Sequence, residues 1–407
     1  MFDVKSVNET FRIIKEHFYD YQVNEEEIST ENASGRILNE DITAREDMPP
    51  FDRSSVDGFA VIAKETFGAS ESMPAQMHLS GEVKMGETPK FEIKRGCAAY
   101  VPTGGELPKG SDAVVMVEYS EDFGDGDIFL NKTVAPGNNV VFRGDDVKKD
   151  SVVIKAGRKL RNQDIAMIAG LGYEKIKVRR RLKIGIISTG DEVIEIHEDP
   201  EGAQVRDMNA YGVYSMAREM GMEPKKYGIA KDDYEEIDRL VRKALEENDM
   251  VVISGGSSVG TKDVTVKVID SLGEPGVLLH GIAVKPGKPT IIGRVGNKAV
   301  IGLPGHPASA FVIFQIFVKK ILQAMENDDK AFEPYMEAVM LTNYPSNSGR
   351  EEYLSVRLKN DGDKLWAEPV FGKSGMISLM TEADGYVHIK RESEGLNKNQ
   401  SVKVRLF

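Results

Sequence analysis

Four apolar runs of the sequence end in glycines, hydroxyls and acids: STGDE at 188–192, AKDD at 230–233, SGGSSVGTKD at 254–263 and LPGHPAS at 303–309. Gly255, Gly256, Ser257, Ser258 and Gly260 can turn successive backbone N–H groups toward one point, forming a nest for phosphate or another oxyanion, with Thr189 and Gly190 beside it. Glu192, Asp232 and Asp263 each follow one of the runs, and three carboxylates gathered in one cleft suit Mg²⁺, which prefers hard oxygen ligands. Each feature has a plain alternative: a tight turn for the glycines, an N-cap or solvated turn for the acids. Repetition at four strand ends favours a site.

Cations come from a second group of segments. In VKPGKPT, Lys285 and Lys288 surround a rigid Pro-Gly turn, so their ammonium groups either converge on an oxyanion or stand as an exposed basic turn. Ser309 falls in the first turn of an expected helix, where unpaired amides favour anions. His306 nearby reads either as a polar lining residue or, as is commoner for a lone turn histidine, as structural or solvated. Asp57 in PPFDRSSVDGFA and Thr103 in YVPTGG occupy proline- and glycine-rich loops, where they brace turns or reach a cleft.

The elements that must carry these loops follow from hydrophobic period. LKIGIIST, KKYGIA, DMVVISGG, KPTIIG and KAVIGLPG read as buried strands, interspersed with helices NAYGVYSMAREMG, DDYEEIDRLVRKALEEN and PASAFVIFQIFVKKILQAM. Residues 182–326 are therefore expected to form a three-layer α/β domain, whose ligands bind beyond the carboxyl ends of the strands. Residues 41–139 show short alternating runs broken by glycine and proline, as in an inserted β-rich domain, and 327–407 read as a small β-barrel. Phe11, Ile14 and Phe18 recur at helical spacing, and residues 1–40 are expected to join 140–181 in a composite N-terminal domain, the later segment packing against the first helix.

Composition narrows the function classes. With 407 residues, the chain has room for two to four domains. Its 53 basic against 65 acidic residues, a formal charge of −12, argue against non-specific binding to nucleic acid or anionic membranes. A single cysteine, Cys97, excludes an intrachain disulfide and a thiolate metal cluster. The amino terminus lacks the pattern of a secretory signal, and no window is expected to reach the ~20 apolar residues of a bilayer span, so a soluble, cytoplasmic protein is expected.

Taken in order, PPFDRSSVDGFA, YVPTGG, NNVVFRGDDV, ISTGDEV, SGGSSVGTKDV, VKPGKP and GLPGHPASA resemble the MoeA family, the molybdopterin molybdenumtransferases that include the C-terminal domain of gephyrin. The likeness continues through SGREEYLSVRL and FGKSGMISL and so covers essentially the whole chain. It implies a multidomain α/β plus β fold: a MogA-like three-layer α/β domain, an inserted β-rich domain and a C-terminal β-barrel. It also implies a cytosolic homodimer whose active clefts are shared, the inserted domain of one protomer completing the cleft of its mate. The implied reaction inserts molybdenum from molybdate into adenylylated molybdopterin with release of AMP, using Mg²⁺, with tungstate as an alternative oxyanion.

Carried over by motif, the resemblance makes Asp57 and Thr103 contributions from the partner and adds Asp146 from the RGDD segment. Glu192, Asp232 and Asp263 become the acids around nucleotide phosphate and metal, with Glu192 and Asp263 on Mg²⁺. Lys285, Lys288, Ser309, Arg350 and Ser374 become the oxyanion-binding set, Arg350 through its planar fork and Ser374 through a directed hydroxyl. Two positions depart from the pattern: Gly281, where some relatives have lysine, and His306, where asparagine is commoner. Rival readings are a MogA-like molybdopterin adenylyltransferase and a gephyrin-like scaffold. Transient contact with a molybdopterin adenylyltransferase or an acceptor molybdoenzyme fits the same placement.

Overall fold

The protein is described by a computed structural model over residues 4–255, 259–328 and 333–407, with backbone alone at 259–263. The chain divides into two units, Met1–Glu26 with Arg179–Phe407, and Glu27–Val178.

A six-stranded sheet centres the first unit, in the order Glu223–Ala230, Lys183–Thr189, Met250–Gly255, Lys298–Leu303, Ile291–Val295, Pro275–His280. The first four strands are parallel, and Ile291–Val295 runs against both neighbours. Period-two alternation sends Ile184, Ile186, Met250 and Val252 into one core and Ile187, Val251 and Ile253 into another. Helix Asn209–Glu219 packs on the first face. Helices Tyr234–Glu247 and Val259–Leu272 cover the second through Ile237, Val241, Ala244 and Val268, Ile269. Three layers result, as the alternation of strand and helix patterns predicts.

Helix Pro307–Met325 lies in the first core, with a π-helical turn at Phe314–Val318. It is long and apolar enough to cross a membrane, contrary to the expectation that no window would be, but two thirds of its apolar window (67%) is buried inside the fold. Part of that cover is helix Val7–Phe18, which starts in a capping box: the Ser6 hydroxyl accepts from the Glu9 amide at 3.2 Å and Glu9 Oε2 accepts from the Ser6 amide at 2.8 Å. Its stripe of Val7, Ile14 and Phe18 joins the core of Phe314, Phe317 and Ile321, with Phe11 5.5 Å from Phe317.

This corrects the expected packing of the first helix on residues 140–181. Those residues have a core of their own with 33–44, built from Leu38, Ile42, Ile154, Leu160, Ile168 and Val178. An amphipathic stripe names the face that must be buried, not the partner that buries it.

The C-terminal strands close into a five-stranded barrel. Glu351–Asn360 pairs with Leu365–Pro369, which pairs with Met336–Met340; Ser401–Leu406 and Gly385–Ile389 then complete the ring back to Glu351–Asn360. A short parallel bridge, Val284↔Glu351 and Lys285↔Glu352, ties the VKPGKP loop to the barrel. In the second unit, short antiparallel pairs at Ile42/Ile154 and Ser54/Val140 accompany a six-stranded mixed sheet centred on Cys97–Val101 and Ala75–Glu82.

Candidate active site

Two clusters form within the first unit, and both come from the loops that the sequence singles out. The first caps the carboxyl ends of three adjacent strands, because register places Thr189 beside Gly255 on one side and Ala230 on the other. Gly255, at φ +144°, passes so close that a Cβ there would fall 2.1 Å from the Thr189 carbonyl oxygen, so only glycine lets these strand ends approach. Gly190 is buried beneath Glu192: a Cβ on it would meet Glu192 Oε2 at 2.8 Å. Asn209 donates to Ser254 Oγ at 3.0 Å and to the Gly305 carbonyl at 2.8 Å, joining two strand ends.

Asp232 has the most telling surroundings. The N-cap of helix Tyr234–Glu247 is its neighbour Asp233, whose carboxylate accepts from the Glu236 amide at 3.1 Å, so capping does not explain Asp232. Asp232 Oδ1 is buried without a partner among the described residues. Burial first, and then the charges of Asp191 and Glu192, push its carboxyl above the usual carboxylate range. Asp191 Oδ1 also accepts from the Asp232 amide at 3.3 Å. A crowd of acids short of positive charge is a donor set suited to a hard cation. Among the described residues no three His, Cys, Asp or Glu side chains complete a metal centre. Gly256, Ser257 and Ser258 lie outside the described residues, as do the side chain of Asp263 and that of its helix neighbours.

The second cluster is a cavity of about 560 Å³ whose lining includes Lys285, Lys288, Ser309, Arg350 and Ser374. Residues far apart in sequence thus share one space, and each supplies a donor or cation. The VKPGKP loop reaches it by close approach: Gly287, at φ +108°, would put a Cβ 2.4 Å from Ile313 of the long helix. Lys373 adds a fourth cation to the lining, against one carboxylate, Glu352.

Sequence reasoning missed Glu352. It is only 4% exposed, pairs with Lys285 Nζ at 2.7 Å, and accepts from the hydroxyls of Tyr344 at 2.7 Å and of Ser346. Burial, then that bond to Glu352, holds the Tyr344 hydroxyl well above the usual phenol range. A signal was present: period two in EEYLSVRL puts Glu352 on the face of Leu354 and Val356, which are buried. Of the two readings for His306, the lining residue is the one the structure supports: it lines the cavity and meets Ser374 Oγ at 2.9 Å.

The remaining predicted residues belong to the second unit. Thr103 donates its amide to Asp57 Oδ1 at 2.9 Å, so these two exposed residues form one loop cluster. Asp146 is exposed in the turn after Val141, its amide donating to the Met48 carbonyl at 3.1 Å.

Comparison with known proteins spans both units. The MoeA N-terminal region (domains I and II) matches residues 5–172, a probable molybdopterin binding domain matches 185–324, and the MoeA C-terminal region (domain IV) matches 337–407. A protein of Methanocaldococcus jannaschii named for molybdopterin biosynthesis is 36% identical, over 96% of this chain and 94% of its own. The molybdopterin molybdenumtransferase of Bacillus subtilis is 30% identical, over 96% of this chain and 91% of its own. The crystal structure of a molybdopterin biosynthesis MoeA protein from Pyrococcus horikoshii superposes with a TM-score of 0.86 at 32% identity, covering 100% of both chains. The match of three consecutive family regions, a relative above a third identical along nearly the whole chain, and a shared fold over its full length together place this chain in the MoeA family.

Proposed function

We propose that the protein is a molybdopterin molybdenumtransferase, which inserts molybdenum from molybdate into adenylylated molybdopterin and releases AMP. The observation that carries this reading is the cavity in which Lys285, Lys288, Ser309, Arg350 and Ser374 come together from separate segments. A tetrahedral oxyanion needs directed donors on several sides, and a lysine pair, a guanidinium fork and two hydroxyls supply them.

The work divides between the two clusters. Thr189, Gly190 and Gly255 at the strand ends, with Gly256, Ser257 and Ser258 that follow in the sequence, would bind the phosphates of the adenylylated pterin. Glu192, with Asp232 near it, and Asp263 would hold Mg²⁺, which when bound neutralises and polarises the phosphoanhydride. The cavity residues hold molybdate for transfer to the dithiolene sulfurs, meeting charge with fixed cations and donors rather than with a covalent nucleophile. Asp57 and Thr103 fit contributions from the second protomer of a homodimer, and Asp146 of the RGDD segment is a further catalytic candidate, in a cytoplasmic protein with four working parts at 1–40 with 140–181, 41–139, 182–326 and 327–407. The packing of helix Val7–Phe18 on the α/β core modifies the first of these.

The test is incubation with adenylylated molybdopterin, Mg²⁺ and either molybdate or tungstate, with AMP and metal-loaded pterin measured separately. Oxyanion-dependent AMP release with metal in the pterin is expected. No turnover by folded protein with either oxyanion defeats the reading, and ATP-dependent nucleotide transfer without molybdate would replace it with adenylylation.

A further inference from the structure

Two residues of the cavity reach it from opposite sides and bond to each other. His306 stands immediately before the long helix, and Ser374 lies in the segment that follows barrel strand Leu365–Pro369. The Ser374 carbonyl accepts from the Ala308 amide at 3.2 Å, while His306 Nδ1 lies 2.9 Å from Ser374 Oγ. Gly375 sits by the ring, where a Cβ would be 4.0 Å from His306 Cδ2. The backbone bond fixes the segment, and the side-chain bond fixes the direction of one hydroxyl.

A serine hydroxyl has one proton to give. If Nδ1 is the bare nitrogen of a neutral imidazole, Ser374 donates to it and turns only lone pairs toward the cavity, which repel an oxyanion. If both ring nitrogens carry protons, Nδ1–H donates to Oγ and the hydroxyl proton is released toward the cavity. The imidazolium then adds positive charge as well. We propose that His306 is a positioning residue that couples oxyanion binding to uptake of a proton, by switching Ser374 from a donor to histidine into a donor to the bound oxyanion. This rests on the oxyanion reading of the cavity.

The other titratable groups of the lining are Lys285 and Lys288 from the loop, Tyr344, Arg350, Glu352 and Tyr353 from the barrel segments, and Lys373 next to Ser374. Glu352 is engaged by Lys285, Tyr344 and Ser346. Imidazole is the side chain whose ordinary titration falls in the neutral range.

The experiment is calorimetric titration of the full-length protein with sodium molybdate from about pH 8 to about pH 6, a range in which imidazole changes charge. Buffers of different ionisation heat give the protons taken up per oxyanion bound. The wild type is expected to tighten severalfold on acidification and to take up a fraction of a proton approaching one. His306→Asn keeps an amide that can donate to Ser374 Oγ but cannot change charge, so its affinity should be nearly flat with pH and exceed that of the wild type at the alkaline end. Ser374→Ala removes the switched hydroxyl, so it should lose affinity at the acid end but not at the alkaline end, with a shallower pH dependence. Equal proton uptake in the wild type and both variants, or a wild-type affinity independent of pH, overturns the coupling alone. Absence of molybdate binding at every pH defeats the oxyanion reading together with it.

Discussion

At the scale of single residues, the cavity gathers cations whose chemistry suits an oxyanion. Lys285, Lys288 and Arg350 are cations in or beside glycine-containing loops, and the cavity unites them. Arg350 is exposed at its rim, free of a role in the core, so replacing it should disturb the ligand rather than the fold. Arg350→Ala is expected to weaken molybdate binding about tenfold or more, the size of one lost charge-assisted hydrogen bond, with little change in Tm. Arg350→Lys should recover only part of this, because an ammonium restores charge but not the planar fork. Titrating molybdate against each variant, and adenylylated pterin separately, checks both statements; an equal loss for the pterin would show that the side chain serves more than the oxyanion. Glu352 stayed hidden because a charged residue in an alternating strand reads by default as solvent-facing, and only its parity with Leu354 and Val356 said otherwise.

At the scale of elements, sequence period gave most strands and helices but not their mates, and helix Val259–Leu272 and strand Pro275–His280 went unread. The five strands of the barrel and the helix Tyr234–Glu247, with Ile237, Leu240, Val241 and Leu245 buried, follow directly from alternation and the 3.6-residue stripe. What fixes the end of the first helical segment to the α/β core, beyond its apolar stripe, was not legible, because it depends on a buried polar network between distant segments. Past that helix, Tyr21 donates its hydroxyl to Asp249, Arg180 grips the same carboxylate at 2.6 and 2.7 Å, and the Lys183 amide adds a bond at 2.8 Å. Burial pushes the Asp249 carboxyl upward, but Arg180, the Lys183 amide and Tyr21 outweigh it and hold the carboxyl below the usual range. A depressed carboxyl contributes stability that is complete above its unfolded value, about 3.9, and is lost as pH falls through the lower folded value. Asp249→Asn should therefore cost about 2–4 kcal/mol at neutral pH, leaving Arg180 unpaired, and the gap in Tm from wild type should narrow below about pH 4. A gap that persists unchanged in acid would deny the carboxylate this role. Gly287→Ala tests the other junction: its positive φ and the contact with Ile313 should cost about 1–3 kcal/mol and weaken molybdate binding, because the loop carrying Lys285 and Lys288 cannot stay in place. Gly296→Ala, at φ +60° with open space around it, is the control for backbone cost alone, expected near 1 kcal/mol with binding intact.

At the scale of the whole molecule, a chain of net charge −12 presents a cavity lined by four cations and one carboxylate, so the local field that receives an oxyanion opposes the global one. Asp57 and Thr103 lie in one unit of the chain and the cavity in the other. The expectation of a cleft shared between protomers comes from the family resemblance alone, since hydrophobic period describes a chain's own core and carries no address for a second copy. It is nevertheless testable without a structure of the dimer. Asp57→Ala and Arg350→Ala chains, each nearly inactive alone, are unfolded together and refolded, or coexpressed with two tags, and the mixed dimer is isolated. If each cleft takes Asp57 from one protomer and Arg350 from the other, a mixed dimer has one cleft bearing both defects and one bearing neither. Random pairing makes half the dimers mixed, so an unfractionated mixture should regain about a quarter of wild-type turnover and the purified mixed dimer about half. If each cleft instead draws both residues from a single chain, every cleft in the mixed dimer carries one defect and turnover stays at the level of the parents. The two arrangements thus differ in whether activity returns at all, and isolated mixed dimers that remain inactive would place Asp57 and Arg350 in the cleft of the same protomer.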